Sequence, residues 1–278
     1  GDHFNPSNYR PSPLTSTISK VFESILNAHF MKHLESHHLL SDHQYGFRKA
    51  RSTGDLLSYL THTWSSSLRD FGESHVVALD ISKAFDRVWH KALLAKLPFY
   101  GFTPSLCNLI SSFLSNRFIS VVVDGATSAS FPISSGVPQG SVLSPTLFLL
   151  FINNLLSSSI SPTHSFADDS TLHTSSAFAS APSSLIRTQS RIAMSSTINS
   201  DLVRISSWGH LNLVNFNASK TQFLPISLST TPSDFNILFE NNVIDPLDSI
   251  NILGLNVASN LSWKHHIQGI AKSDCKKF

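Results

Sequence analysis

The sequence has little of what holds disulfide scaffolds, zinc modules or membrane anchors together. Its two cysteines, Cys107 and Cys275, exclude a multi-disulfide fold and form no C-x-x-C pair for zinc. The most apolar stretch, residues 147–152, is far shorter than the roughly 20 residues that cross a bilayer, so we expect no membrane partner. Charged residues make up only 14% of the chain, with a net charge of +2. That balance neither requires nor excludes a nucleic-acid partner.

What the sequence does contain is enough apolar material for a core. Hydrophobic residues account for 41% of the 278 residues, which excludes a disordered chain as the default expectation. The chain starts without an initiator Met or a secretory signal pattern. We therefore expect a piece of a longer protein.

Hydrophobic periodicity predicts an irregular alternation of strands and helices. Strands are predicted at residues 75–81, 222–226, 235–239 and 250–255. Helices are predicted at residues 18–34, 85–97, 144–155 and 185–208. Hairpins are predicted at residues 119–133, around Asp124 and Gly125, and at residues 163–173. Because there is no regular βαβ order, we expect an α+β fold with helices on one face of a sheet.

Acidic side chains are scarce, and three of them occupy informative positions. Asp80 ends an apolar strand, where a carboxylate is costly unless it is paired or bound to a metal. Asp168 and Asp169 are adjacent at a turn, and a divalent cation would relieve their mutual repulsion. Oxygen ligands from two distant segments suit Mg²⁺, and two such ions can support nucleotidyl transfer. The alternative interpretation is a plain turn, which aspartate also favours.

Several short blocks follow one another along the chain. They are NYRP at residues 8–11, QYGFRKARST at 44–53, ALDISKAFDRVWH at 78–90, SGVPQGSVLSP at 135–145, FADD at 166–169, NASKT at 217–221 and ILGL at 252–255. Together they resemble the reverse transcriptase of non-LTR (LINE-type) retrotransposons, in particular the jockey-like branch. The resemblance covers almost the whole chain.

The resemblance implies a right-hand polymerase with fingers and palm, in which an antiparallel palm sheet is backed by helices. It places an incomplete fingers portion at residues 1–74. The palm, with interleaved fingers segments, is expected at residues 75–270. Residues 271–278 are expected to begin a thumb or connection.

The resemblance also implies a catalytic and metal-binding set. Asp80, Asp168 and Asp169 match the aspartates that bind two Mg²⁺ ions, with Mn²⁺ as an alternative metal. The carbonyl of Ile81 would complete the shell of one ion. Lys220 matches a general acid that protonates the leaving pyrophosphate, and a solvated loop lysine is the competing interpretation.

A second implied set contacts the nucleotide and the template. Phe85 matches an aromatic gate that excludes a ribose 2′-hydroxyl by a clash, against ordinary core packing. Pro138, Gln139 and Gly140 match the loop that borders nucleotide and template, against a plain turn. Three arginines are candidates for holding the triphosphate or the template backbone: Arg10, Arg48 and Arg51.

The implied function is RNA-directed DNA polymerase, part of a retrotransposon polyprotein that extends a primer 3′-hydroxyl. Its implied partners are an RNA template, a DNA primer or target, and deoxynucleotides, with the oligomeric state left open. The resemblance further implies a ribonucleoprotein of the cytoplasm and nucleus. One alternative is a truncated, inactive remnant, because Pro13 lacks a backbone donor and restricts the residue before it. Another is a two-metal nuclease, which would give Phe85 and the 138–140 loop no purpose.

Overall fold

The computed structural model describes residues 15–176, 183–228 and 236–274. These residues form two compact units. The first unit combines the stretch up to Leu40 with Lys83–Phe151, and the second combines Ser41–Ser82 with the stretch from Ile152 onward. The domain boundaries expected after residues 74 and 270 do not coincide with these units and stay a prediction.

The described residues contain helices and short strands in alternation. The α-helices are α1 (Thr17–Ser36), α2 (Thr53–Phe71), α3 (His90–Lys96), α4 (Pro104–Leu114), α5 (Ser144–Ile152), α6 (Ser184–Asn212) and α7 (Lys264–Asp274). The strands are β1 (Glu73–Leu79), β2 (Arg117–Ile119), β3 (Val122–Val123), β4 (Ala126–Thr127), β5 (Phe131–Ile133), β6 (Thr163–Phe166), β7 (Asp169–Ser175), β8 (Gln222–Ser227), β9 (Leu238–Phe239), β10 (Asn242–Val243), β11 (Ser249–Ile252) and β12 (Leu255–Ala258). None of these helices combines the length and the apolar character that spanning a bilayer requires.

The second unit is built on a four-stranded antiparallel sheet in the order β6-β7-β1-β8. Two successive residues of β1, Val76 and Val77, are both fully buried. Since successive strand side chains point to opposite faces, the sheet is covered on both faces rather than on one. The α+β class and the antiparallel sheet are thus confirmed.

Helix α2 supplies the cover on one face of this sheet. It begins at a capping box, in which the Asp55 N–H donates to Ser52 Oγ and the Ser52 N–H donates to Asp55 Oδ2. It ends at Gly72, whose φ of +84° lies in the left-handed region that glycine tolerates. Burial of each large apolar side chain contributes about 1.5–3 kcal/mol. Helix α2 and the strands share one buried hydrophobic cluster, which contains Leu56, Leu60, Trp64, Val76, Leu224, Ile226, Ile250, Ile252 and Val257.

The helix predicted at residues 85–97 is wrong as a single element. A 3₁₀ turn covers Ala84–Arg87, α3 begins only at His90, and a second 3₁₀ turn covers Leu97–Tyr100. The carbonyls of Phe85 and Val88 accept hydrogen bonds from the distant residues 137 and 136, at 2.9 and 2.8 Å. Because these carbonyls accept bonds from distant residues rather than from the next helical turn, the predicted helix is interrupted between residues 87 and 90.

Other predictions hold with one correction. The Asp124-Gly125 turn joins β3 to β4, with φ positive at both residues, as a two-residue hairpin turn requires. The predicted strand at residues 250–255 is instead a hairpin, because Leu253 and Gly254 both have positive φ and separate β11 from β12. The strand predicted from Phe235 is described only from Leu238, and Phe235 lies outside the described residues.

Helix α1 exposes most of its predicted apolar stripe. Ile18, Val21 and Phe22 are more than half exposed, whereas Glu23 is only 4% exposed. The buried apolar residues lie later in the helix, at Phe30 and beyond. An acidic residue therefore occupies a core position of this helix.

Candidate functional site

The register of the sheet places the two acidic segments side by side. Leu79 of β1 is paired with Ser170 of β7 in antiparallel register. Continuing the register by one residue places Asp80 opposite Asp169. Directly opposed strand residues have Cβ atoms about 4.5–5.5 Å apart. Residues 89 positions apart in the sequence thus meet at one edge of the sheet.

The remaining aspartate lies in the β6–β7 turn. Because Phe166 pairs with Asp169, the turn is a two-residue loop made of Ala167 and Asp168. Asp169 stays accessible to solvent, yet its pKa is raised above the ordinary value, by partial desolvation first and then by the charges of Asp168 and Asp80. Both other carboxylates therefore act electrostatically on Asp169.

The chemistry of these donors, rather than their arrangement, suits a divalent cation. Accessible carboxylate oxygens that repel one another are the ligands that hard cations such as Mg²⁺ prefer. Across the described residues, no group of three Asp, Glu, His or Cys side chains is arranged to hold an ion. The carboxylates are instead gathered by the backbone register of β1, β6 and β7.

The backbone beyond Asp80 continues this edge. The Asn217 N–H donates to the Asp80 carbonyl at 2.9 Å, and Ile81 forms an antiparallel bridge with Phe216. In a bridge of this kind the N–H and C=O of the central residue face away from the partner strand. The Ile81 carbonyl therefore faces away from the 215–217 segment, towards the side of β1 on which β7 lies.

The segment that carries Lys220 is tied to the same edge. The Lys220 N–H donates to the Asn217 carbonyl at 3.1 Å, and Asn217 is the residue bonded to Asp80. The Lys220 side chain is exposed. Its turn is thus anchored beside the carboxylates, while an exposed lysine is also what the solvated-loop interpretation predicts.

The first unit brings Phe85 close to the segment that leads into the 138–140 loop. The ring of Phe85 stacks on Phe148, with ring centroids 4.4 Å apart and an interplanar angle of 16°. Phe85 is half-buried, and its carbonyl accepts the Val137 N–H at 2.9 Å. The stacking on Phe148 is what core packing predicts. The side chain is only half-buried, so part of it is also accessible, as the gate interpretation requires.

The 138–140 loop is fixed by its own contacts. Gln139 Nε2 donates to the Asp86 carboxylate at 3.0 Å. Gly140 has a φ of +77°, and Gly136 has a φ of +86°. A Cβ at Gly136 would lie 2.8 Å from the Asp86 carbonyl oxygen, so only glycine fits there. The close approach ties the loop to the segment that carries Phe85.

The arginines support a loop of the second unit. Arg48 is only 8% exposed, and its Nη1 donates to the Gln44 carbonyl at 3.2 Å. Arg51 donates to the same carbonyl at 3.3 Å and to the Asp42 carboxylate at 2.8 Å. Arg10 lies outside the described residues. Contact of these arginines with phosphate stays a prediction.

Comparison with known proteins identifies the family of the chain. The family model described as reverse transcriptase (RNA-dependent DNA polymerase) matches residues 2–257. The chain belongs to the reverse transcriptase family. Reverse transcriptases generally use divalent metal ions, in keeping with the carboxylate edge described above.

Retrotransposon proteins are among its relatives. The chain is 28% identical to the RNA-directed DNA polymerase from the mobile element jockey of Drosophila melanogaster, over 96% of this chain and 28% of that protein. It is also 28% identical to a probable RNA-directed DNA polymerase from the X-element transposon of the same organism, over 95% of this chain and 28% of that protein. The resemblance to reverse transcriptases of non-LTR retrotransposons is confirmed. The chain spans less than a third of the length of these relatives.

Solved structures share the fold at low identity. Apo telomerase from Candida tropicalis, truncated from its C-terminal domain, has a TM-score of 0.57 and 12% identity over 88% of this chain and 45% of that chain. A second apo telomerase structure from the same organism has a TM-score of 0.54 and 12% identity over 86% of this reverse transcriptase chain and 40% of that one. The expected polymerase fold is thereby confirmed.

Sequence reasoning missed the residues that hold the site's loops in place. Gln44 and Gly46 contact the aspartate turn, and Glu23 binds the segment that follows the 138–140 loop. Glu23 carries a signal that could have revealed it, since it is an acid within an apolar helical stripe. Gln44 and Gly46 carry no signal beyond their place in the QYGFRKARST block.

Proposed function

We propose that this chain is the polymerase core of an RNA-directed DNA polymerase, which adds deoxynucleotides to a primer 3′-hydroxyl. The observation that supports the proposal is the register of β1 and β7, in a chain of this family: Leu79 pairs with Ser170, so that Asp80 and Asp169 follow at the next position.

Each residue of the edge has a role in this proposal. Asp80, Asp168, Asp169 and the Ile81 carbonyl would hold two Mg²⁺ ions, with Mn²⁺ as a substitute. Bound there, the ions supply stabilisation of the attacking hydroxyl and of the leaving pyrophosphate. Lys220, anchored beside Asp80, donates a proton to the pyrophosphate oxygen as the bond breaks.

Phe85 and the 138–140 loop would select and align the nucleotide. Phe85, braced by Phe148, presents an aromatic ring that clashes with a ribose 2′-hydroxyl and so favours deoxynucleotides. Pro138, Gln139 and Gly140 border the nucleotide and the template.

Positive charge would complete the substrate site. Arg10, Arg48 and Arg51 would hold the triphosphate or the template backbone through charge-assisted hydrogen bonds. The two described arginines already donate to loop carbonyls, so direct phosphate contact requires donors beyond those bonds.

The proposed partners are an RNA template, a DNA primer or target, and deoxynucleotides, and the proposed location is a ribonucleoprotein of the cytoplasm and nucleus. Retrotransposon relatives described as RNA-directed DNA polymerases support the template and the product. The proposed organisation keeps fingers at residues 1–74, palm at 75–270 and the start of a thumb at 271–278.

Primer extension on an RNA template with Mg²⁺ tests the function. The unmodified chain is compared with Asp168→Ala/Asp169→Ala, and Asp70→Ala is the control because Asp70 pairs only with its exposed neighbour Arg69 among the described contacts. We expect extension that depends on deoxynucleotides and template, retained in the control and abolished in the double variant.

Each other result has a definite meaning. If the unmodified chain melts cooperatively but extends no primer, the inactive remnant is favoured. Mg²⁺-dependent loss of primer without deoxynucleotides favours the nuclease. Extension that survives loss of both aspartates would refute the proposed site.

A further inference from the structure

Gln44 lies in a loop that runs along β6, the edge strand of the four-stranded sheet. The Tyr45 N–H donates to the Ser165 carbonyl at 2.8 Å, and the Ser165 N–H donates to the His43 carbonyl at 2.9 Å. Gln44 thereby forms a parallel bridge with Ser165 of β6. The loop runs beside the strand that leads into the aspartate turn.

From this position the Gln44 side chain binds the turn itself. Gln44 Nε2 donates to the Ala167 carbonyl at 3.2 Å, and the Ala167 N–H donates to Gln44 Oε1 at 3.0 Å. Oε1 also accepts the Gly46 N–H at 2.8 Å. Gln44 is 2% exposed and Ala167 is 5% exposed. Buried bonds of this kind are costly to lose, because no water replaces the missing partner.

These bonds fix the turn where its geometry is least favourable. Ala167 has a φ of +57°, a conformation that costs a residue with a Cβ about 1–2 kcal/mol. Binding both its N–H and its carbonyl fixes the peptide planes on either side. The plane on the carboxyl side carries the N–H of Asp168, so the backbone direction at Asp168 is set by Gln44.

Two further contacts hold the glutamine in place. Gly46 lies against the turn so closely that a Cβ there would be 2.2 Å from the Ala167 nitrogen. Arg48 and Arg51 both donate to the Gln44 carbonyl, at 3.2 and 3.3 Å. Gln44 is thus restrained by the bridge to Ser165, by the close approach of Gly46 and by the two arginines.

We propose that Gln44, with Gly46, is a positioning residue that holds the Ala167-Asp168 turn and so sets the placement of the metal-binding carboxylates. The proposal rests on the proposed function for the identity of those ligands. Gln44 touches no reacting atom and acts only through the turn. Arg48 and Arg51 restrain Gln44 through its backbone carbonyl.

Asn199 provides a matched control elsewhere in the second unit. Its Nδ2 donates to the Asn236 carbonyl at 2.7 Å, and its Oδ1 accepts the Leu238 N–H at 2.9 Å. It is thus a second side-chain amide that binds backbone with both its donor and its acceptor. Asn199→Leu and Gln44→Leu remove the same chemistry from two different places.

The test uses the full chain and two readouts that need no turnover. Hydrogen exchange of the Ala167 amide reports the turn, and electron paramagnetic resonance of free Mn²⁺ reports metal binding. In Gln44→Leu we expect Ala167 exchange and the Mn²⁺ dissociation constant both to rise by about tenfold, within the range seen for residues that support metal ligands. Asn199→Leu should change neither. Gly46→Ala should resemble Gln44→Leu, because its Cβ displaces the turn.

A conservative variant keeps the test decisive if Gln44→Leu does not fold. Gln44→Glu retains an oxygen that accepts the Ala167 and Gly46 N–H groups but loses the donor to the Ala167 carbonyl, so Ala167 should exchange faster in it than in the unmodified chain. Unchanged exchange of Ala167 in Gln44→Glu, or unchanged exchange and Mn²⁺ binding in a folded Gln44→Leu, would overturn the proposal. If the unmodified chain extends no primer, the proposed function fails, while exchange and Mn²⁺ binding still decide the role of Gln44.

Discussion

Glu23 offers a sharp test of how the first unit is held together. This carboxylate is 4% exposed on α1, and its Oε2 accepts the Val142 N–H at 2.7 Å and the Ser141 hydroxyl at 2.5 Å. The Leu143 N–H lies 3.4 Å away. These donors immediately precede α5, where a negative charge also interacts favourably with the helix dipole. We predict that Glu23→Ala destabilises this unit strongly.

The magnitude follows from which donors lose a partner. The Val142 N–H has no substitute among the described contacts, whereas the Leu143 N–H keeps the Ser141 hydroxyl at 3.2 Å. A hydrogen bond to a charged group contributes about 1.5–3 kcal/mol, and an unsatisfied buried donor costs a similar amount. We expect Glu23→Ala to lower the free energy of unfolding by about 2–4 kcal/mol. Glu23→Gln keeps an acceptor and should cost about half of that.

The assay is hydrogen exchange by mass spectrometry over residues 141–152, combined with urea unfolding followed by circular dichroism. Lys32→Ala, a truncation to alanine at an exposed position of the same helix, is the control and should change the free energy of unfolding by at most about 0.5 kcal/mol. Exchange at residues 141–152 that is unchanged in Glu23→Ala would refute the reasoning.

Three further predictions concern both units. Arg191→Met removes the donor that lies 2.8 Å from the 2% exposed Glu73 and leaves the His75 ring, at 3.1 Å, as a partner of that carboxylate; the loss should cost about 1.5–3 kcal/mol in urea unfolding, and Glu73→Leu in the same chain should recover most of it. Burial, then neighbouring histidines, lowers the pKa of His164 to about 3, and burial, then His43, lowers that of His173 to about 4. Stability should therefore be complete above the unfolded pKa near 6.5 and fall as the pH drops, by about 2 kcal/mol per histidine at pH 5, which urea midpoints at pH 7.5 and 5 would measure. Phe85→Val should reduce discrimination between deoxynucleotides and ribonucleotides by roughly one to two orders of magnitude in kcat/KM.

Local chemistry made several elements predictable from the sequence. The Asp124-Gly125 turn was predictable because few residue pairs adopt two positive φ values in succession. Asp80, Asp168 and Asp169 stood out because carboxylates are scarce in this sequence and rare after an apolar strand, and their joint binding of a metal stays a prediction. In both cases the signal is carried by a residue type with few alternatives.

Elements fixed by distant contacts were not predictable from periodicity. The break after Phe85 depends on hydrogen bonds from residues 136 and 137, which lie about fifty positions later in the chain. The role of Gln44 depends on a turn more than a hundred positions away. Glutamine is an unremarkable residue type in a loop, so only the fold reveals that both its amide atoms are used.

The claim that Asp80 joins Asp168 and Asp169 in one metal site is tested most directly by Mn²⁺ binding. Free Mn²⁺ measured by electron paramagnetic resonance would compare Asp80→Asn with Asp86→Asn, the same change six residues later, where the carboxylate instead accepts a hydrogen bond from Gln139. We expect Asp80→Asn to weaken Mn²⁺ binding at least about tenfold and Asp86→Asn to leave it unchanged. Equal binding by both variants, in folded protein, would contradict the claim.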